Sequence, residues 1–502
     1  MKKIIALILV MITALSVVAC GGGGTTVTTT EPTVTDAPAI SPSDTTDSSV
    51  TSAPEEKLEI PEGKFDDAEF VVISAGQVAY DDFSFTDAGT EVLDQAQYMR
   101  KTTVEDLLGV VINIVIDENK SGVGNGSGYK RVSRAVDAND ADYHIGLIGG
   151  MDVSTLAYSS YLVPLAEAKY MDLEKSWWDQ NANTDLQVMG NIFFTQGDIT
   201  AAKSDCTYVI FYNKALGREE LNGEDPYKLV LDKKWTLDKF AELCLAVSED
   251  LDGNGTMDME DRYGLYAWDD SILGMISAAG QKVASINADG EFELTIYNDK
   301  VLSVIEKFGN VAYNTDYAIQ YQRYSNNGNV REKWTNDQAL FWATSTFNTS
   351  SMREMDSDFG ILPFPMLNSE QTRYYSTIPT YNSQFLCLPS VQEDMDFTSI
   401  VTEALAYYGR TIVRPAVYEK TIKGTYFRDE ESIAMLDIIY DSFIYDIGQL
   451  HRIGNMNSLL LNMFRAKESN FASIYAANST IAEQQIKAVN NGYRKVIDSW
   501  AD

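Results

Sequence analysis

Between Phe65 and Ile148 short apolar runs alternate with a stretch of helical spacing. EFVVIS (69–74), VVINIVI (110–116) and ADYHIGLI (141–148) each have the length and apolar density of a strand. Between the first two, Val92, Ala96, Met99, Val104 and Leu107 recur at a helical period within the segment Thr90 to Leu108. Strands alternating with helices predict an α/β layer with a mostly parallel sheet, whose ligand crevice lies beyond the carboxyl ends of the strands. The loops after Ser74 and Ile148 are the places this singles out. A second set of elements begins at TYVIFYN (207–213). In TLDKFAELCLAV (236–247), Leu237, Phe240, Leu243, Cys244 and Val247 share one face behind a Thr236 N-cap, which makes an amphipathic helix and puts Cys244 in a core. INADGEFELTI (286–296) reads as a hairpin turning at Asp289-Gly290, ALFWATS (339–345) as a strand, and DFGILPFP (358–365) as a strand stopped by prolines. From about Ser390 to Trp500 the pattern is mostly helical, and no internal repeat is present.

The first 64 residues follow other rules. MKKIIALILVMITALSVVAC has a basic start, an apolar run from Ile4 to Val18 and small Ala19 before Cys20, which is a secretory signal too short to be a membrane span. VVAC is similar to a bacterial lipobox, with Val17 where leucine is usual, so Cys20 is expected to carry the lipid of a lipoprotein at the extracellular face of the membrane. An ordinary signal with Cys20 just beyond it is the alternative. Residues 21–64 are dominated by Gly, Thr, Ser and Pro with few large side chains, and read as a disordered tether.

Composition narrows the function classes. The chain has 502 residues, 45% of them hydrophobic, enough for a large core and more than one domain. With 39 basic against 73 acidic residues the formal charge is -34, which argues against nucleic acid or an anionic membrane surface as the main partner. Cys206, Cys244 and Cys387 form no metal spacing and cannot all pair, so buried thiols are expected. His144 and His451 are the only histidines, too few for a His-rich zinc site and a narrow basis for a Ser-His-Asp triad.

One loop carries metal chemistry. DLDGNGTMDMED (250–261) sets acidic or amide side chains at positions 1, 3, 5, 9 and 12 with glycine at 6, the spacing of an EF-hand calcium loop. Asp250, Asp252, Asn254, the Thr256 carbonyl, Asp258 and Asp261 are the candidate ligands of a Ca2+ ion. A sensor needs flanking helices on both sides, and DRYGLYAW after the loop has no helical spacing. Asp261 is also shorter than the usual bidentate glutamate. A structural clip is therefore expected rather than a sensor, with an ion-free acidic turn as the alternative.

From about residue 65 to its end the chain resembles the extracellular solute-binding proteins of bacterial ABC importers, of the sugar- and oligosaccharide-binding lipoprotein type. The resemblance is carried by the lipoprotein start, ADYHIGLIGG followed by YLVPLAEA, YVIFYNKAL (208–216), KKWTLDKFAEL (233–243), the DLDGNGTMDMEDRYG loop and GILPFP (360–365), in that order. It implies an α/β, two-lobe periplasmic-binding-protein-like (type II) fold with a hinge and an interlobe cleft. Lobe 1 would hold 65–198 and 384–428 and lobe 2 would hold 199–383 and 429–502, with hinge crossings near Thr195–Lys203 and Thr380–Gln384. It further implies a monomer without enzymatic activity that passes its solute to an ABC importer permease.

Sugars present apolar C–H faces and rings of hydroxyls, so their sites combine aromatic platforms with carboxylates and amides. On that basis Trp268 and Asp269, after the acidic loop, are the leading candidates, a core indole being the bland alternative for Trp268. Asp152, after Gly149-Gly150, is read as a sugar contact or as the cap of the following helix. Trp178 is a stacking platform or a packed indole, Asp205 a cleft residue or a surface turn, and Tyr381 with Asn382 lies beside the proposed hinge. The competing classes are a binder of peptide or another polar solute, a surface glycosidase, which needs two carboxylates across a scissile bond, and an adhesin.

Overall fold

The computed structural model describes residues 56–85, 91–119, 124–320, 327–352, 355–419 and 429–501. The secretory signal, Cys20 and the first part of the expected tether lie outside them. Residues 56–64 were assigned to the tether, yet they already lie on the fold. Leu58 and Ile60 pack against the core, and Glu56 accepts the Ser176 N–H at 2.9 Å. Two isolated apolar residues in a polar stretch give too little periodicity to be read from sequence.

Among the described residues, twelve strands form two five-stranded sheets and one hairpin. The first sheet contains β1 (Ala68–Gly76), β2 (Val110–Glu118), β3 (Ile145–Gly149), β4 (Phe194–Thr195) and β12 (Gln384–Cys387), in the order β2-β1-β3-β12-β4. The second contains β5 (Tyr208–Asn213), β6 (Tyr263–Ala267), β9 (Ala318–Gln320), β10 (Ala339–Ser345) and β11 (Phe359–Leu362), in the order β11-β5-β10-β6-β9. The hairpin is β7 (Ala284–Ile286) with β8 (Phe292–Leu294), its Gly290 at φ 78 in the turn. The two-sheet, mixed α/β architecture agrees with the expected two-lobe fold. The sheets are less parallel than the pattern predicts: β1 runs parallel to β2 and β3, but β12 is antiparallel to both β3 and β4. The reason is where β12 enters. Gln384 pairs with Gly149 at the carboxyl end of β3, so a chain returning from the second sheet can only run back along it.

Local sequence accounts for several element ends. The helix Val92–Leu108 stops at Gly109, which is left-handed at φ 62 and donates its N–H to Glu105 O. Thr236 caps its helix by accepting the Lys239 N–H at 3.3 Å, and Cys244 on that helix is buried with Cys206 and Cys387, all three as free thiols. The long helix Phe471–Ala501 packs on the hairpin and on the helix Gly150–Tyr158 of the first lobe. Through Tyr158, Phe193, Phe292, His451 and Tyr493 the apolar core runs continuously from the first sheet to the second. The segment 429–502, assigned to the second lobe, is thus shared by both in its later part: Leu450 O also accepts from Ser154 Oγ at 2.8 Å.

The opposite face of the first sheet is covered by the helices Val92–Leu108 and Met395–Tyr408. There the buried Glu403 accepts the indole N–H of Trp177 at 2.9 Å and of Trp178 at 3.0 Å. Burial pushes its carboxyl up to about 7, against the pull of these two donors. A glutamate that keeps its proton to higher pH when folded stabilises fully below its ordinary range and loses that contribution as pH rises through about 7. Replacing Glu403 with Ala strands two buried indole donors and should lower the unfolding free energy by about 2–4 kcal/mol in urea titration. Glu403→Gln should flatten the fall in stability between pH 5 and about 7; a slope equal to that of the parent protein would refute the assignment.

Candidate functional site

A cleft of about 640 Å3 opens where the carboxyl ends of strands from both sheets converge. Its size falls in the range of small-molecule sites. Met151, just after β3, faces it from the first lobe. The parallel strands β6 and β10 end side by side, with Ala267 opposite Ala343, and deliver Trp268-Asp269-Asp270 and Thr344-Ser345 to the wall. Phe347 and Asn348 follow β10, Pro379–Asn382 precede β12, and Arg452, Asn455, Asn457, Ser458, Leu461 and Arg465 come from the helical C-terminal part.

The wall bearing Trp268 is held by its backbone. Trp268 N–H donates to Ala343 O at 3.1 Å, and its carbonyl accepts the Ser271 N–H at 3.1 Å. The indole is half-buried, so one part packs on the core while the rest borders the cleft. Phe347 and Tyr381 are exposed in the same cleft, giving flat apolar surfaces on separate loops. Asp269 is buried and ion-paired with Arg465. Burial, with the Asp269 carboxylate beside it, pushes Asp270 up to about 7, while Arg465 and the Tyr208 hydroxyl pull it down. Asn457 Oδ1 is buried with no hydrogen-bond partner among the described residues, an acceptor that a hydroxyl donor would satisfy. Arg452 and Asn455 are both left-handed, at φ 53 and 54, conformations that cost free energy and cluster at binding sites. The cleft therefore combines aromatic faces, amide groups and fixed charges.

Trp268, Asp269, Tyr381 and Asn382 line this cleft. Asp152, Trp178 and Asp205 do not. Asp152 is fully buried, and its carboxylate accepts the N–H of Gly126 at 2.9 Å and of Tyr129 at 3.2 Å, so it caps the helix Ser127–Asp137 rather than meeting a solute or capping its own helix. Trp178 is buried under its bond to Glu403 and borders a separate cavity of about 330 Å3 lined also by Gly197, Asp198, Thr200 and Lys203. Asp205 sits half-buried on the short helix Ala202–Asp205. Sequence reasoning did not find Arg331, Asn348, Asn457 or Arg465. For Asn348 a signal existed: it follows the carboxyl end of β10, where ligand crevices form in α/β sheets. For the C-terminal group there was none, since helical spacing says nothing about which turn reaches a cleft.

The acidic loop precedes β6, and its base is closed by the paired Glu249 and Arg262, with N–H to O distances of 3.0 and 3.1 Å. Asp250 accepts the N–H of Gly253 at 2.8 Å and of Gly255 at 2.7 Å, while Asn254 Oδ1 accepts the Thr256 N–H at 2.7 Å. These bonds wrap the backbone around an interior where carboxylate oxygens of Asp250, Asp252 and Asp261 lie within 4.8 Å of one another. Asp261 is fully buried and accepts from Leu251 N at 2.9 Å and Asp258 N at 2.7 Å. Hard oxygen donors at that spacing suit a cation of the calcium class, and three converging carboxylates repel one another without one.

No family model matches the chain, and no curated relative matches it either. Solved structures do. A cyclo/maltodextrin-binding protein complexed with maltotetraose is similar at 11% identity and a TM-score of 0.53, over 87% of this chain and 98% of its own. The GacH receptor of Streptomyces glaucescens, studied without ligand and with acarbose, is 13% identical with a TM-score of 0.51, over 86% and 99% of the two chains. An ABC substrate-binding protein from Listeria monocytogenes in complex with cycloalternan is 11% identical with a TM-score of 0.51, over 86% and 100%. Across nearly the full length of these proteins, the chain shares their two-lobe α/β fold.

Proposed function

We propose that this protein captures a carbohydrate, a sugar or oligosaccharide, in the cleft between its two lobes. The observation that carries the reading is the wall formed by Trp268, Phe347 and Tyr381 together with Asp269, Asn348 and Asn457, since sugars are held by stacking on aromatic faces and by paired hydrogen bonds from their hydroxyls. That the similar proteins named above were studied with maltotetraose, acarbose and cycloalternan supports it. A solute touching both walls stabilises the closed arrangement in proportion to its extra contacts there. The rival enzyme reading needs two carboxylates facing each other across a bond. Among the described residues the carboxylates lining the cleft are Asp269 and Asp270, neighbours on one loop.

In this reading Cys20 carries a lipid at the extracellular face of the membrane, the protein acts as a monomer, and the solute passes to an ABC importer permease. Among the described residues no helix is long and apolar enough to cross a membrane. The acidic loop would hold a structural calcium ion through Asp250, Asp252, Asn254, the Thr256 carbonyl, Asp258 and Asp261. The ion would neutralise the converging carboxylates and brace the start of β6, whose other end carries Trp268.

Calorimetry and thermal unfolding against mono- and oligosaccharides test the capture. A sugar at about 100 times its Kd should add about 2.7 kcal/mol to stability, whereas a flat response across the panel would count against carbohydrate. Trp268→Ala should weaken binding by about tenfold or more through lost stacking, with the fold intact. Trp178→Phe is the control: it should lower the melting temperature while leaving affinity unchanged, and the reverse pattern would move the site. Chelation should lower the melting temperature by several degrees, calcium should restore it, and Asp250→Ala should abolish both effects. A melting curve indifferent to chelator would leave the loop an ion-free turn.

A further inference from the structure

Over the whole chain acidic residues outnumber basic ones by 73 to 39. In the cleft the balance reverses. Among the described residues its charged lining consists of Arg331, Arg452 and Arg465 against Asp269 and Asp270. Arg465 is ion-paired with the buried Asp269. Asp270 beside it has its carboxyl raised by burial and by that neighbour, so near neutral pH it carries less than a full negative charge. Guanidinium charge is thus in excess where a solute would sit.

We propose that the solute is an acidic oligosaccharide, one containing uronic acid units, whose carboxylate is received by Arg331 in the field of Arg452. The inference rests on the carbohydrate reading above. Arg331 stands exposed on the helix Asn327–Thr335 of the second lobe, and its Nη2 donates to Asn348 Oδ1 at 2.8 Å, a neutral partner. Arg452 lies at the other side: a Cβ added at Gly124, in the loop before the helix Ser127–Asp137 of the first lobe, would come within 3.1 Å of its Nη1. A guanidinium presents a planar fork of donors that matches a carboxylate, and its charge never titrates off. When the lobes close on a solute, water leaves Arg331, whose hydrogen-bond partner is neutral. A neutral sugar would leave that desolvation of charge uncompensated, while a carboxylate offsets it and gains from the lower dielectric. The aromatic surfaces of Trp268, Phe347 and Tyr381 still accept the sugar rings, so one solute uses both halves of the lining.

The test is calorimetry on the purified protein with oligogalacturonates, oligomannuronates and glucuronate-bearing xylo-oligosaccharides, each paired with its methyl ester, and with neutral malto-oligosaccharides alongside. The expected result is that one acid binds about tenfold or more tighter than its own ester, and that the gap narrows as salt rises to about 0.5 M. Arg331→Gln should remove most of the gap between the acid and its ester. Arg452→Gln should reduce it too, and melting curves of both variants check that they fold. Acid and ester binding alike, or binding by neutral oligosaccharides alone, overturns the acidic assignment and leaves the carbohydrate reading standing. Binding by none of the probes overturns both.

Discussion

The structure hangs on the return strand β12. The chain leaves the first sheet after β4, builds the second sheet, and comes back to insert Gln384–Cys387 between β3 and β4. An internal strand added from so far along the sequence must satisfy a full ladder of backbone groups on both edges. Gln384 shows how tightly that insertion is specified. Its buried Nε2 donates to Ser74 Oγ at 3.0 Å and to Leu147 O at 3.1 Å, and its own carbonyl accepts from the Gln196 side chain. The residues just before it, Pro379–Asn382, border the cleft. A shift of β12 by one residue would turn its core-facing side chains around and displace the adjoining cleft wall.

Buried carboxylates are the second organising feature, and each is answered by donors rather than left bare. Glu403 takes two indole N–H groups, Asp152 takes the amides at the start of a helix, and Asp446 accepts from Val283 N at 2.7 Å and Gly448 N at 2.9 Å. Asp446 therefore ties the helical C-terminal part to the hairpin, which in turn meets the first lobe where Met189 N–H donates to Gly290 O at 2.8 Å. These bonds, with the aromatic cluster around His451 and Tyr493, make the C-terminal part a shared floor beneath the two lobes. The cleft side of that floor is the left-handed turn at Arg452 and Asn455. Strain there is sustained because the surrounding packing leaves the turn no other conformation.

The acidic loop and the cleft are linked mechanically. Five residues of β6 separate the Glu249–Arg262 closure from Trp268, and β6 is held on both edges by β9 and β10. Order imposed at one end of a short, doubly paired strand reaches the other. In the proposed function, holding Trp268 in place before a solute arrives would lower the ordering cost of binding.

The sequence by itself determined the layered α/β class, the hairpin at Asp289-Gly290, the amphipathic helix behind Thr236, the buried thiols and the geometry of the acidic loop. Each of these is written in local periodicity, capping chemistry or the spacing of a few adjacent residues. It also marked Trp268, Asp269 and Tyr381, which tertiary structure brings to one cleft. Only the tertiary structure decided that Asp152 is a cap for a different helix, that Trp178 is consumed by Glu403 from a segment 225 residues away, and that arginines from three separate elements converge on the cleft. The physical reason is the same in all three cases. Whether a polar or aromatic side chain is a ligand contact or a structural one depends on which donor or acceptor lies opposite it, and that partner is set by long-range packing that leaves no trace in the residue's own neighbourhood.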